Sequence, residues 1–382
     1  MKCSLLRCDS YEYEKVYTAI AQTIQNLGGF EPYIQPGERV LLKANLLMKK
    51  KPEEAATTHP IVVKALAALL LEYGATVIIG DSPGGPFNPA LMNGVYKATG
   101  MSKIVEELQG GVALNSNFKS FKKDNPEALI MKHLTLTDML NDVDKVISVA
   151  KLKTHAMMTY TGAVKNMFGV VPGIVKVEYH MNISDYENFA DMLIDVCIAA
   201  NPVLSFIDGI VGMEGNGPSA GVPVNIGVIM GSASPHTLDL AAAHIIGLEA
   251  REVPTLKRAQ ERGLLGRLAE IDFVAEKPQN FVMPSFDIVR GKKPMNIQNS
   301  NLPNFAKAFL ARHMQSRPVV NAGDCTGCAI CKEACPVKVV HIVDKKAGMN
   351  YTDCIRCYCC QELCPQKAIR VHKPRLVKML RL

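Results

Sequence analysis

The stretch CTGCAICKEACP at residues 325–336 is followed by CIRCYCCQELCP at residues 354–365, and each reads C-x2-C-x2-C-x3-C-P. Their cysteines match at a constant offset of 29 residues: 325 with 354, 328 with 357, 331 with 360 and 335 with 364. This is an internal duplication. A tetrahedral zinc site takes two separated pairs of ligands, whereas three cysteines at such intervals wrap a short loop around one face of a cubane. The spacing favours iron–sulfur ligation over zinc. One more cysteine, Cys359, stands in the second run where the first has Ile330. It reads as a packing residue, not a ligand.

The fourth cysteine of each run, next to proline, ligates the other cluster in two-cluster ferredoxins. Residues 319–372 therefore resemble a bacterial two-[4Fe-4S] ferredoxin. The resemblance implies two [4Fe-4S] clusters, one on Cys325, Cys328, Cys331 and Cys364, the other on Cys354, Cys357, Cys360 and Cys335. Gly327 and Ala329 keep side chains off the cluster, so that backbone N–H groups can approach its sulfides. Between the runs, HIVD, KKAG and MNY predict a strand, a turn and a strand.

The cysteines serve as ligands and not as staples, because nine of the twelve fall in the last 58 residues at metal-ligand spacing. Cys3, Cys8 and Cys197 are scattered. The apolar stretch at 62–80 is interrupted by Lys64, Glu72 and Gly74, so it reads as helix, turn and strand and not as a membrane span. The first fifteen residues lack an apolar run long enough for a signal peptide, which places the chain in the cytoplasm, away from any membrane. The formal charge is +7. Two ligated clusters of about −2 each leave roughly +3, too little to argue for nucleic acid. The tail HKPRLVKMLRL reads as a solvated basic end.

Upstream, a chain of 382 residues with 48% hydrophobic content can bury a large core. Short β-branched runs at 39–44, 76–81, 145–150, 204–209 and 225–231 alternate with helical stretches such as PIVVKALAALLLEYG and NFADMLIDVCIAA. This pattern predicts an α/β domain with a largely parallel sheet and helices on both faces, plus the small α+β dicluster ferredoxin-like domain. The boundaries are 1–275 for the α/β domain, 276–318 for a linker and short helix, 319–372 for the ferredoxin domain and 373–382 for the tail.

Polar residues follow each apolar run: Lys43 and Asn45, then Asp81 to Gly85, then Lys151, Lys153, Thr154 and His155, then Asp208 and Gly209. In open parallel sheets ligands bind beyond the carboxyl ends of the strands, so these clusters are expected to face one crevice. Asp81 before Ser-Pro-Gly-Gly also reads as a turn residue, and Thr57-Thr58-His59-Pro60 reads equally as a helix cap. The densest segment, residues 151–173, carries Lys151, Lys153, His155, Lys165 and Asn166 among Met157, Met158, Tyr160, Val164, Met167, Phe168, Val170 and Val171. Cations held against apolar surface suit a carboxylate or phosphate, and a buried lysine or histidine can be tuned for proton transfer near neutral pH. His155, Lys165 and Asp81 are the candidate catalytic residues. Lys43, Asn45, Lys151, Lys153 and Asn166 are the candidate substrate-binding ones.

KANLLMKK, TTHP, GDSPGGP, AKLKTHAMMTYTGAVKNMFGVVPG and DGIVGMEGNGP together resemble the domain of unknown function 362 family over roughly residues 1–250. That family often carries a C-terminal ferredoxin domain; its name implies no reaction. His155, Gly162, Lys165 and Pro172-Gly173 are also similar to a segment of the nickel-pincer lactate racemase family, with histidine and lysine ten residues apart in both. From this only a shared site for His155 and Lys165 is taken. His236 reads as a capping and packing residue, with Glu214, Asn216 and Gly217 as secondary site candidates.

The linker holds few glycines, so the ferredoxin domain is expected to dock on the α/β domain. An iron–sulfur oxidoreductase acting on an anionic small molecule, with a protein electron donor or acceptor, fits these features. An electron carrier docking to a partner enzyme, and a non-redox enzyme with structural or sensing clusters, remain as the alternatives. No G-x-G-x-x-G or G-x-x-x-x-G-K-[ST] fingerprint is present.

Overall fold

A computed structural model describes residues 1–288, 303 and 316–372. The helix expected over 305–314, the linker residues 289–302 and the basic tail lie outside the described residues. In chain order the large domain forms β1 (Lys2–Arg7), α1 (Tyr13–Asn26), β2 (Arg39–Ala44), α2 (Pro60–Glu72), β3 (Thr76–Gly80), α3 (Pro89–Ala98) and α4 (Met101–Glu107). It continues with β4 (Val112–Leu114), β5 (Ser120–Asp124), β6 (His133–Thr137), β7 (Lys145–His155), β8 (Thr159–Thr161), α5 (Ala163–Asn166), α6 (Gly173–Asn182) and α7 (Tyr186–Ala200). The last elements are β9 (Leu204–Glu214), β10 (Val222–Ser232), α8 (Pro235–Ile245), α9 (Pro254–Glu261) and β11 (Asp272–Ala275).

One sheet runs β11-β1-β10-β9-β7-β2-β3-β4, with β8 paired to β7. It is mostly parallel. Only β10 and β8 run against their neighbours, while β5 and β6 form a separate hairpin.

Strand alternation sends one set of side chains to each face. Val40, Leu42, Ile147 and Val149 pack with the apolar sides of α1 to α4. Leu41, Val146, Ala150 and Cys3 pack with α5, α7, α8 and α9 on the other face. Each buried Leu, Ile or Val contributes roughly 1.5–3 kcal/mol of transfer free energy, and the sheet is held between these two layers.

Helix starts follow local chemistry. Pro60 opens α2 behind His59, whose Nδ1 accepts from Ile61 N at 3.3 Å, so the cap is the histidine and not either threonine. Asp185 caps α7 by accepting from Glu187 N and Asn188 N.

Two strands are longer than their apolar cores suggested. β7 and β9 were expected to stop at 150 and 209, yet they run on to His155 and Glu214. Lys151 therefore sits inside the sheet opposite Asp208, and their side chains pair at 2.8 Å. Charges can continue a buried strand when each meets a partner.

In the small domain, β12 (Arg317–Val320) pairs with β15 (Ile369–His372), and β13 (Val340–Val343) pairs with β14 (Lys346–Met349). The turn expected at KKAG lies earlier, at Asp344 and Lys345, both with positive φ of 48° and 56°. Such a two-residue loop matches the twist of the strands, so Lys346 to Gly348 become strand. Among the described residues no helix is long and apolar enough to cross a membrane.

Candidate functional site: a cationic cavity closed by the cysteine domain

The two cysteine runs have the same backbone. Positive φ recurs at Gly327 and Arg356, at Ala329 and Tyr358, and at Lys338 and Lys367, each pair 29 residues apart. Left-handed residues at such positions allow a loop to curve and turn N–H groups inward, a shape suited to anionic sulfide. Cys325, Cys328, Cys331 and Cys364 line one cavity, and Ala347 N donates to Cys325 Sγ at 3.4 Å. Cys335 is instead close enough to Cys354 and Cys360 to influence both thiols. Thiols drawn from both runs around each centre fit a [4Fe-4S] cluster.

A second cavity lies beyond the carboxyl ends of β2, β3 and β7. The space between its walls, counted out to its open mouth, is about 790 Å3. From the large domain come Asn45, Asp81, Ser82, Lys153, His155, Lys165, Asn166, Lys176 and His180; the small domain adds Cys359, Glu362 and Leu363.

The floor is a chain of polar contacts. Lys43 Nζ pairs with Asp81 Oδ1 at 2.7 Å, with both side chains buried, and Asp81 Oδ2 accepts from Leu46 N at 2.7 Å. Asn166 donates to Lys43 O at 2.8 Å and to Ser148 Oγ at 3.0 Å, and its own oxygen accepts from Lys43 and Asn45, both at 3.3 Å. Lys153 Nζ donates to Asn45 Oδ1 at 2.7 Å. Gly169 is required beside this pair, because a Cβ there would overlap both Asp81 Oδ1 and Lys43 Nζ.

The wall is a histidine with a fixed tautomer. His155 Nδ1 accepts from Met157 N and Met158 N, each at 3.1 Å, so the proton of the neutral ring is on Nε2. Nε2 faces the cavity without a hydrogen-bond partner; the nearest acceptor, Glu362 Oε2, is 3.6 Å away. Burial, followed by the field of Lys165, pushes His155 down to about 4. At neutral pH it is an uncharged donor. Protonating it would turn Nδ1 into a donor against two N–H groups.

The cations differ in their freedom. Burial lowers Lys153 to about 7 and Lys176 to about 8, and lowers Lys165 as well. Lys176 donates to Ser82 O. Lys165 has no hydrogen bond or ion pair among the described residues and lies 5.9 Å from the Phe168 ring centroid. Glu362 is held below the usual carboxylate range: burial opposes this, but the nearby His155 ring and the Lys165 charge outweigh it.

The sequence-derived candidates therefore separate. Asn45, Asp81, Lys153, His155, Lys165 and Asn166 come together at the cavity, with Lys43 beneath it. Lys151 does not join them. Its Nζ contacts Asp208 and Tyr11 at 2.8 Å each, Tyr11 also donates to Asp208 at 2.8 Å, and His59 stacks on Tyr11 at 3.5 Å. That buried cluster is complete in itself, which also gives His59 and Asp208 structural roles. Asn216 and Gly217 belong to the contact between domains: Gln361 donates to Asn216 O at 2.9 Å, and Val371 N donates to Asn216 Oδ1 at 3.2 Å. His236 is buried behind the Ser234 cap of α8, and Glu214 accepts from Asp287 N at 2.8 Å.

The titratable lining residues Lys176, His180 and Glu362 had no sequence assignment. Lys176 and His180 are four apart on α6, the spacing that puts two side chains on one helix face. Cys359, expected only to pack, lines the cavity.

An α/β sheet whose strand ends face a cysteine domain of this geometry defines an iron–sulfur protein with a ferredoxin-like dicluster domain, and the model of a 4Fe-4S dicluster domain matches residues 317–365. The chain belongs to the family described as Domain of unknown function (DUF362), whose model matches residues 40–244. A thylakoid-associated protein of Synechocystis sp. is 34% identical over 296 residues, which cover 77% of this chain and 89% of that protein. Among solved structures, the lactate racemase apoprotein from Thermoanaerobacterium thermosaccharolyticum aligns with a TM-score of 0.39 at 11% identity, over 64% of this chain and 56% of that one. A Thermotoga maritima protein aligns with a TM-score of 0.35 at 14% identity, over 59% of this chain and 56% of its own. This chain thus spans little more than half the length of either solved protein, and no residue role follows from them.

Proposed function

We propose that the protein is an oxidoreductase that acts on a small anionic substrate in the cationic cavity, with a one-electron carrier protein as its partner in the cytoplasm. The observation that carries this reading is that one wall of the cavity comes from the cysteine domain itself, through Cys359, Glu362 and Leu363. A pure carrier has no need of a cavity at its cluster domain.

Two [4Fe-4S] clusters are assigned to Cys325, Cys328, Cys331 and Cys364 and to Cys354, Cys357, Cys360 and Cys335. When bound, such clusters supply electrons one at a time. The chain's own residues do the rest. Lys165, with no anionic partner within ion-pairing distance among the described residues, holds a substrate carboxylate or phosphate, and His155 Nε2 donates to a substrate oxygen. Lys153 and Lys176, lowered to about 7 and about 8, can release and recover protons near neutral pH. Asp81 keeps Lys43 and the Leu46 amide in place, which makes it a positioning residue.

The test is anaerobic. Small carboxylates and phosphates are added singly to dithionite-reduced protein while cluster absorbance is followed. Reoxidation by one of them, lost in His155→Ala and Lys165→Ala at unchanged iron content, supports the reading. No reoxidation by any anion, together with normal electron exchange with a ferredoxin, sinks it in favour of a carrier.

A further inference from the structure

Cys359 is the one cysteine of the two runs that has no cysteine counterpart in the other. Its counterpart Ile330 is 42% exposed, whereas Cys359 is 7% exposed. It is buried because the large domain covers it, and it faces the cavity. It sits at the start of the short helix Cys359–Glu362, next to Cys360 and two residues from Cys357. A thiol thus stands between two assigned cluster ligands and a ligand-sized space.

The opposite side of that space is prepared for a ligand by separate residues. His155 Nε2, on a side chain 2% exposed, and Ser82 Oγ, on one fully buried, both line the cavity without a hydrogen-bond partner. Buried polar atoms left open cost free energy unless something else meets them. Lys165 feels both Cys359 and Glu362, so the cation and the thiol are neighbours across the same space.

We propose that Cys359 is a substrate-reactive thiol that forms a mixed disulfide with a small anionic disulfide held by Lys165 and His155. This rests on the anion-binding reading of the cavity. The Cys359 sulfur bonds to one sulfur of the substrate as the substrate's S–S bond breaks. The other half leaves as a thiol, carrying the proton that Cys359 gives up. The exchange is redox-neutral and consumes no oxidant.

The experiment uses the full-length, iron-loaded protein under anaerobic conditions. Dithiodiglycolate, a dianion, and hydroxyethyl disulfide, its neutral analogue, are reacted with it, and the adduct is located by peptide mass spectrometry while cluster absorbance is recorded. Binding of succinate, which cannot exchange, is measured in parallel by calorimetry. The expected result is one adduct, on Cys359, formed about 10- to 1,000-fold faster with the dianion than with the neutral compound, the range by which like-signed clefts concentrate counter-ions. Cys359→Ile, which installs the residue of the first run, should lose the adduct and keep its iron. Lys165→Met should slow the dianion more than the neutral compound.

Succinate binding without an adduct overturns the thiol's role and leaves the anion cavity standing. Failure of both overturns the cavity reading as well. An adduct formed equally fast with the neutral disulfide overturns the anionic class. Loss of iron in both Cys359→Ile and Cys359→Ser would make Cys359 a cluster ligand and also overturn the proposal.

Discussion

His155 Nε2 faces Glu362 Oε2 across 3.6 Å, one residue at the end of a central strand of the sheet and the other on a short helix of the cysteine domain. The Glu362 carboxylate thus occupies the side of the cavity where a substrate anion would meet Lys165 and His155. Such an anion would compete with it for His155 and Lys165.

Replacing Glu362 by Gln should therefore strengthen the binding of small anions. The gain expected is about tenfold, ~1.4 kcal/mol, read as the succinate dissociation constant by calorimetry. Unchanged affinity would mean that Glu362 does not compete for the site.

Anion affinity should fall as pH rises from 6.5 to 8.5. Lys153 and Lys176 are lowered by burial to about 7 and about 8, so each carries its charge below that value and loses it above. The same calorimetric titration across pH checks this, and Lys153→Met should flatten the lower part of the curve.

Acid should destabilise the protein for a different reason. Burial pushes His155 and His236 down from 6.5 to about 4 and His180 down to about 3, so the folded state keeps all three neutral. The unfolded chain binds those protons below 6.5, and stability present above 6.5 is lost as pH falls toward 4. Each histidine contributes at most about 1.4 kcal/mol per pH unit over that window. His236→Gln, remote from the cavity, should reduce the slope of urea midpoint against pH by one proton.

Asp81→Ala should cost about 3–5 kcal/mol, because it strands the Lys43 ammonium where no other carboxylate among the described residues pairs with it. Gly169→Ala should be destabilising too, since its Cβ needs the space of that ion pair. Urea unfolding followed by circular dichroism measures both; a change under about 1 kcal/mol in Asp81→Ala would show that Lys43 is neutral there.

The cross-assignment of the fourth cysteines has its own test. Cys364→Ala should reduce the iron of the cluster on Cys325, Cys328 and Cys331, and Cys335→Ala that of the other. Each should lower total iron by about half, with distinct electron paramagnetic resonance signals lost in the two variants. Identical lost signals would contradict the exchange.

What could be read from the sequence was what is local in the chain. The cysteine loops are ligand sets within a dozen residues, and each repeats its backbone 29 residues on, at Gly327 and Arg356 and at Ala329 and Tyr358. Five apolar runs marked five central strands because a buried strand must be apolar on both faces. The strands β1, β4, β8 and β11 were not expected: β4, β8 and β11 are only three or four residues long, and β1 takes its partners β10 and β11 from the far end of the domain. The helix pair α7 and α9 hides another such contact, where Asp191 and Asp195 meet Arg258 and Arg262 at 2.8 Å.

By itself the sequence determined that this chain carries ferredoxin-type cysteine loops behind an α/β sheet, and that its polar residues gather after the strands. Only the tertiary structure decided which of them are free. Lys43, Lys151 and Lys165 look alike along the chain, but Asp81 and Asp208 form ion pairs with the first two from 38 and 57 positions away, while among the described residues no carboxylate comes within ion-pairing distance of the third. Likewise Cys359 and Ile330 hold equivalent places in a repeat, and only domain docking turns one toward a cavity and leaves the other in solvent. Charge compensation and burial are properties of neighbours in space, and the spacing of residues along the chain does not encode them.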